Sequence, residues 1–322
     1  MKIQEYCDPI KILGIQNNFS PTFVEIHPTN HCNMDCSYCS YKERKKDKVS
    51  LSTTNLMNLC TDLLNLQTKA VCFSGGGEPT LHNSLKQAIT YLYEGGIKVS
   101  VLTNGLNANL IEEVSPMCTY ILIHVSCYDL LRGHSKVPLG YISKLKQSTL
   151  GVVGGRIVLD NKNKKDYRKL IEVSLKLGFD YIQCCPAISY EDNCGYLTTQ
   201  ECNDILKDDI FKDKRVMWIE KKQYEKRENF CACLNKKVHA TVKANGDICL
   251  CPSHLFESDK SVIGNVNSKR FWDLWHSDLH NETINEIQRD PNYICDQCRF
   301  RKYNFLLERY QNMLQNTHRY FL

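Results

Sequence analysis

No stretch of this 322-residue chain approaches the roughly 20 apolar residues that a membrane-spanning helix requires. The opening segment, MKIQEYCDPIKILGIQNNFS, lacks the apolar core of a secretory signal. An excess of one charge sign is also missing: 41 Lys and Arg against 36 Asp and Glu leave +5, too little to imply nucleic acid by itself. There is no internal repeat and no low-complexity segment. With 42% hydrophobic and 24% charged residues, the chain can bury a sizeable core and is not disordered. The expectation is a soluble, cytoplasmic protein of one large domain and a smaller appendage, with no membrane or nucleic-acid partner.

Cysteine, by contrast, is abundant, with 18 in the chain. A small secreted protein would use that number as a disulfide framework. This chain is large enough not to need staples and shows no export signal, so dense cysteine points to metal or redox chemistry. A free cysteine is also a small hydrophobe that packs in cores. Most of the 18 are expected to do only that, leaving the clustered ones for function.

Short apolar, β-branched runs alternate with helical patterns along the first two-thirds of the chain. Strands are predicted at 23–27, 69–74, 98–104, 120–126, 156–160 and 181–188. Ser52 or Thr53 caps a predicted helix with Leu56, Leu59, Cys60, Leu63 and Leu64 on one face. Leu85, Ala88, Ile89 and Leu92 repeat the pattern until Gly95-Gly96, and further helices are predicted at 110–114, 141–150 and 167–177, the last closed by Gly178. Six βα repeats imply parallel strands joined by crossover helices, as in a doubly wound sheet or a β/α barrel. Either arrangement gathers functional groups on the loops after the strands.

The texture changes beyond residue 195. A helical stretch at 199–214 leads to a strand at 216–219, then to a hairpin whose Asn245-Gly246 is a two-residue turn signal. A helix carrying Trp272 and Trp275 follows, and an amphipathic helix is predicted at 303–314. The expected division is an extension at 1–21, a core domain at 22–215 and an appended α+β domain at 216–322. The run KERKKDK at 42–48 reads as a solvated loop.

Directly after the first predicted strand the chain reads HPTNHCNMDCSYCSY, placing Cys32, Cys36 and Cys39 in a C-x3-C-x2-C array. Three thiolates on one short loop can hold three corners of a cubane iron–sulfur cluster. The fourth iron then stays open to a small ligand, as in a catalytic rather than a structural metal site. Zinc, with His27 or His31 as fourth ligand, is the alternative for the same residues. The second predicted strand runs into Gly75-Gly76-Gly77-Glu78-Pro79. Consecutive glycines allow positive φ and let a ligand approach the backbone. The loop lacks the G-x4-G-K-[ST] pattern of a phosphate loop.

The cysteine array, with Tyr38 before its last cysteine and GGGEP one strand later, resembles the radical S-adenosylmethionine (SAM) superfamily over residues 20–190. That resemblance implies a partial (β/α)6 TIM-like barrel and selects it over the open sheet. It also implies a [4Fe–4S] cluster on Cys32, Cys36 and Cys39, whose open iron is chelated by the amino and carboxylate groups of SAM. The cofactor-binding positions it suggests are Gly75, Gly76 and Gly77 with Glu78 in the same motif, Tyr38 by its backbone, Thr103, Asn104, Ser126 and Asn161.

The C-terminal third holds Cys231, Cys233, Cys249, Cys251, Cys295 and Cys298. A hairpin and a C-x2-C pair can gather four thiols, enough for a second [4Fe–4S] cluster or a zinc ribbon. Cys231 can stand in for Cys233, and Cys249 for Cys251, because strand alternation puts 249 and 251 on one face. The spacing C-x12-G-x4-C ahead of C-x2-C, with IGNV at 263–266 and FWDLW after it, is similar to the twitch form of the SPASM domain. From that resemblance, Cys233, Cys251, Cys295 and Cys298 would hold an auxiliary [4Fe–4S] cluster.

The implied enzyme is a radical SAM oxidoreductase. A reductant such as flavodoxin or ferredoxin supplies an electron, and SAM is cleaved to methionine and a 5′-deoxyadenosyl radical that removes hydrogen from substrate. No base is assigned among His124, Asp129, Arg132, His134 and Glu191, which lie near strand ends. About 22 residues precede the first strand, few for a peptide-recognition domain. A single four-cysteine twitch resembles that of small-molecule dehydrogenases, and this resemblance implies a substrate such as a sugar or aminocyclitol, dehydrogenated with the auxiliary cluster accepting an electron. Peptide or protein modification, or epimerisation, is the second reading. A reading of another class is a non-catalytic zinc protein that binds nucleic acid or a partner, which calls for clustered Lys and Arg on a recognised module.

Overall fold

The computed structural model of the chain describes residues 20–42, 44–125, 140–149, 151–187, 197–219, 234–250 and 261–289. Seven strands follow one another in parallel: β1 (Phe23–Ile26), β2 (Ala70–Phe73), β3 (Lys98–Thr103), β4 (Cys118–His124), β5 (Val152–Leu159), β6 (Tyr181–Pro186) and β7 (Val216–Trp218). A hairpin of β8 (His239–Val242) and β9 (Asp247–Cys249) returns to the start of the sheet, β8 lying parallel to β1, and β10 (Val262–Asn265) adds antiparallel to β9. The resulting order, β10-β9-β8-β1-β2-β3-β4-β5-β6-β7, leaves β10 and β7 as the two ends. This is the predicted mixed α/β class with a parallel sheet, consistent with a partial TIM-type barrel.

Helices α1 (Thr53–Asn65), α2 (Leu85–Glu94), α3 (Ala108–Val114), α4 (Tyr141–Ser148), α5 (Tyr167–Lys176) and α6 (Thr199–Leu206) connect the strands. Helix α1 starts where predicted: the Ser52 side chain accepts from the Asn55 N–H at 3.1 Å. Its apolar stripe, Leu56, Leu59, Cys60 and Leu63, is wholly buried, and each such leucine stabilises the fold by about 1.5–3 kcal/mol. After β10 come α7 (Phe271–Trp275) and α8 (Asp278–Arg289). Arg270, just before α7, grips the buried Asp62 of α1 through two hydrogen bonds of 2.6 and 3.0 Å. The last third of the described chain is thereby clamped to the first helix.

The two faces of the sheet differ in chemistry. One register row reads Val242, Ile26, Phe73, Val101, Ile121 and Val153, all packed in the core. The row one residue earlier on these strands is Thr241, Glu25, Cys72, Ser100 and Tyr120, continued by Cys249 on β9. Strand alternation turns these polar groups away from the core.

Several elements depart from the sequence reading. Strand β5 begins at Val152 rather than 156, because Gly154-Gly155 weakens the apolar signal there. Gly154 lies under Tyr181, whose Cζ would sit 2.3 Å from any Cβ at that position. Strand β7, assigned to the appendage past residue 215, pairs with β6 in the main sheet. The 199–214 stretch breaks after α6, where the Asp208 side chain accepts from Ile210 N–H and starts a separate 3-10 turn at Asp209–Lys212. The hairpin turn is wider than the two residues expected: Gly246 N–H reaches the Lys243 carbonyl at 2.9 Å, and Gly246 takes φ +94°. The predicted 303–314 helix lies outside the described residues.

Candidate functional site

The three clustered cysteines sit on the long loop between β1 and α1. The base of this loop is closed by a bridge between Thr29 and Ser50, whose hydroxyls are 2.6 Å apart. Asn30 N–H to the Val49 carbonyl at 2.8 Å and Leu51 N–H to the Pro28 carbonyl at 2.9 Å flank the bridge. Within the loop, Cys39 N–H donates to the Cys36 carbonyl at 3.1 Å. Cys32, Cys36 and Cys39 are half-buried, whereas Cys60, Cys72, Cys118, Cys184, Cys185, Cys202 and Cys249 are buried.

Strand ends hold this loop from three sides. After β2, Gly77 N–H donates to the Thr29 carbonyl at 3.0 Å and Glu78 N–H to the His31 carbonyl at 2.7 Å. After β3, the Asn104 amide donates to Asn33 Oδ1 at 2.7 Å. Past β5, Ser37 Oγ donates to Asp160 at 3.1 Å, and Tyr38 packs on Val158, Cys185 and Ala187. The expected positive φ at Gly75–Gly77 does not occur. The glycines serve close approach instead: a Cβ on Gly77 would lie 2.1 Å from the His31 carbonyl oxygen, and one on Gly76 2.1 Å from Asn30 Oδ1.

The polar side chains assigned to cofactor binding are largely engaged with the protein itself. Glu78 is buried and accepts from Thr80 N–H and Oγ1, Thr103 Oγ1 and Asn104 N–H at 2.6–3.1 Å. Burial raises its pKa, and these hydrogen bonds oppose that rise. Thr103 Oγ1 also accepts from Gly105 N–H, and Asn104 Oδ1 from Leu106 N–H, each at 3.0 Å. Asn161 is exposed and accepts from Lys164 at 2.8 Å. Ser126 lies outside the described residues, as do Asp129, Arg132, His134, Glu191, Cys231, Cys233, Cys251, Cys295 and Cys298.

Two groups on the polar face were missed from sequence. Glu25 on β1 accepts a hydrogen bond from Ser74 Oγ and pairs with His27 Nε2 at 3.1 Å. His27 is buried, its Nδ1 has no hydrogen-bond partner, and its ring meets Tyr41 of the cysteine loop edge-on at 5.4 Å. Arg156 on β5 stands beside His124 in register, and Cys185 raises its pKa further. Its Nε is buried without a hydrogen-bond partner, and among the described residues it has no carboxylate partner. Burial, and secondarily Arg156, pull His124 down to about 3, so it is a weak proton acceptor. The signal for both groups was alternation: Glu25 and Arg156 interrupt apolar strands at positions facing away from the core.

No three His, Cys, Asp or Glu side chains among the described residues converge on a point that one metal ion could fill. Three half-buried thiols on a polar loop fit the cubane, and His27 is already tied to Glu25.

A profile described as the radical SAM superfamily matches residues 26–129, and one described as an iron–sulfur cluster-binding domain, SPASM, matches 231–299. The chain thus carries a radical SAM domain and, further along, a SPASM domain. Together these domains imply SAM, a SAM-binding [4Fe–4S] cluster and auxiliary [4Fe–4S] clusters as cofactors. The tungsten-containing aldehyde ferredoxin oxidoreductase cofactor-modifying protein of Pyrococcus furiosus is 23% identical over 299 residues, covering 80% of this chain and 82% of that protein. The sporulation killing factor maturation protein SkfB of Bacillus subtilis is 22% identical over 180 residues, 53% of this chain and 43% of SkfB. SuiB of Streptococcus suis bound to SAM superposes with a TM-score of 0.65 at 15% identity, over 92% of this chain and 75% of SuiB. SuiB bound to its precursor peptide SuiA gives 0.64 at 14% identity, over 95% and 76%. No helix among the described residues is long and apolar enough to cross a membrane.

Proposed function

We propose that this protein is a radical SAM enzyme that modifies a peptide, and this reading replaces the small-molecule dehydrogenase expected from the sequence. The observation that carries it is the kinship in fold, over nine-tenths of the chain, with SuiB, which has been solved with a precursor peptide. Sequence similarity to the maturation protein SkfB supports it independently. The Pyrococcus furiosus relative, matched over 82% of its length, is a cofactor-modifying protein.

When bound, SAM and the two clusters supply one-electron chemistry: reductive cleavage of SAM, removal of a substrate hydrogen atom by the 5′-deoxyadenosyl radical, and an acceptor for the second electron. Cys32, Cys36 and Cys39 would hold the first cluster, and Cys233, Cys251, Cys295 and Cys298 the second. The Gly75–Gly77 backbone and the Tyr38 backbone would seat SAM, and Glu78, Thr103 and Asn104 would brace that seat through their hydrogen bonds. Arg156, a buried guanidinium without a carboxylate of its own among the described residues, would pair with the SAM carboxylate. His27, held by Glu25, would take the proton released when the peptide loses its second electron. The electron donor is a flavodoxin or ferredoxin.

The test is anaerobic turnover of the reconstituted protein with SAM, reductant and short peptides encoded beside its gene. The expected result is 5′-deoxyadenosine together with a peptide lighter by two hydrogens. Stimulation of 5′-deoxyadenosine release by sugars or aminocyclitols, and by none of the peptides, would overturn the reading.

A further inference from the structure

The turn that follows β5 is built around one buried carboxylate. Asp160 Oδ1 accepts from Lys162 N–H at 2.8 Å and from Asn163 N–H at 3.1 Å, while Asn163 Oδ1 accepts from Asp160 N–H at 2.9 Å. Asn163 Nδ2 also donates to the Val158 carbonyl at 2.9 Å, which locks the turn from its other side. Oδ2 is left to accept from Ser37 Oγ at 3.1 Å, across 123 positions of sequence. Ser37 and Tyr38 are the two residues between Cys36 and Cys39. Tyr38 packs on Val158, Cys185 and Ala187, so the ends of β5 and β6 grip both. Asp160 is buried, and among the described residues no Lys, Arg or His side chain pairs with it.

We propose that Asp160 is a positioning residue for the first cluster and that its charge holds the reduction potential of that cluster low. The proposal rests on reading Cys32, Cys36 and Cys39 as cluster ligands. Ser37 is the residue next to Cys36, so the carboxylate stands on the order of 10 Å from that thiolate. Cluster potentials follow the charge around them. A negative charge disfavours the gain of an electron nearby, and burial limits its screening by salt. At an effective dielectric of about 20, a unit charge at that range changes a one-electron equilibrium by about tenfold. The sign suits the cleavage of SAM, because a cluster that is harder to reduce gives up its electron more readily. Only one electron moves, and no bond is made or broken at Asp160.

The test is a redox titration of the reconstituted holoenzyme with dithionite, read by electron paramagnetic resonance. The first cluster is the signal that SAM alters and that Cys36→Ala removes. Asp160→Asn keeps the shape of the side chain and removes its charge, so iron content should match the parent. At any fixed potential its ratio of reduced to oxidised first cluster is expected to rise about tenfold, a shift of about 59 mV for one electron. The auxiliary signal should not move. Asp160→Glu keeps the charge and should stay within about twofold of the parent ratio. An unmoved ratio in Asp160→Asn at full iron content overturns the proposal, and so does an equal rise in Asp160→Glu. If Asp160→Asn takes up no iron, Asp160→Glu decides. Parent-level iron with the parent ratio upholds the charge as the requirement, whereas failure of that variant too overturns it, because shape alone then accounts for both. A parent protein with no signal that answers to SAM would instead overturn the cluster reading beneath the proposal.

Discussion

Two populations of cysteine share this chain. Cys32, Cys36 and Cys39 are half-buried on a polar loop, while seven others among the described residues are buried in strands and helices. Burial pushes two of these buried thiols, Cys60 and Cys118, up to about 12. A thiol in that state neither ligates metal nor reacts, because the thiolate is the working species. What separates the populations is placement, since the residue type is the same. The trio is kept out of the core by the Thr29–Ser50 closure and held in shape by Gly77, Asn104 and Asp160 from three strand ends. A loop of this length would otherwise lose its geometry to conformational entropy.

The largest effect expected from this contrast is loss of chemistry. Cys32→Ala, Cys36→Ala or Cys39→Ala should each bring 5′-deoxyadenosine formation down to background. Thermal unfolding of the iron-free protein should change little, since no core packing is lost. The same substitution at buried Cys202 should leave turnover intact, and parallel turnover and melting measurements check both halves.

Next comes the support of the loop. Gly77→Ala places a Cβ against the His31 carbonyl and the Asn30 carbonyl carbon, at 2.1 and 2.5 Å. Backbone on both sides cannot yield as a side-chain end would, so a cost of about 1–3 kcal/mol is expected. The iron-to-protein ratio after reconstitution should fall well below that of the parent, although every cysteine is present. Full iron loading in Gly77→Ala would show that the trio needs no such support.

Much of this was legible from spacing and period. The C-x3-C-x2-C array and the glycine run located the loop, and apolar stripes located the helices that cover the sheet. The roles of individual polar groups were less accessible. Glu78 read as part of a ligand motif, yet its carboxylate is taken up by four donors of the chain. Those contacts join residues up to 26 positions apart, which no local pattern records. Arg156 and the Glu25–His27 pair were hidden for the same reason, because each takes its meaning from a neighbouring strand. Strand β7 was split from the sheet because a change in composition preceded it, while pairing with β6 is set in three dimensions.

A smaller effect probes the buried population. Cys60 on α1 is fully enclosed, and Cys60→Ala removes one sulfur and leaves a small cavity, a loss of about 1 kcal/mol. Urea titration should show the midpoint falling with unchanged slope, and turnover should stay at the parent level. Lost turnover at full iron content would mean that Cys60 belongs with the trio.

The smallest effect is the slow chemistry of the buried thiols themselves. With Cys60 and Cys118 at about 12 against an ordinary value of 9.0, only about one molecule in three thousand carries a thiolate at either position at pH 8.5. Iodoacetamide added to the iron-free protein at that pH should therefore label Cys32, Cys36 and Cys39 and spare Cys60 and Cys118, as peptide mass mapping would show. The linkage has a definite sign. The folded state holds these protons more tightly than the unfolded chain, so their contribution to stability is complete below pH 9 and is lost as pH rises towards 12. Urea midpoints measured from pH 8 upward should fall past 9, and less steeply in a Cys60→Ala, Cys118→Ala double variant. Equal labelling of all five thiols at pH 8.5 would erase the distinction between the two populations, because it would mean that the buried sites open to solvent as readily as the loop.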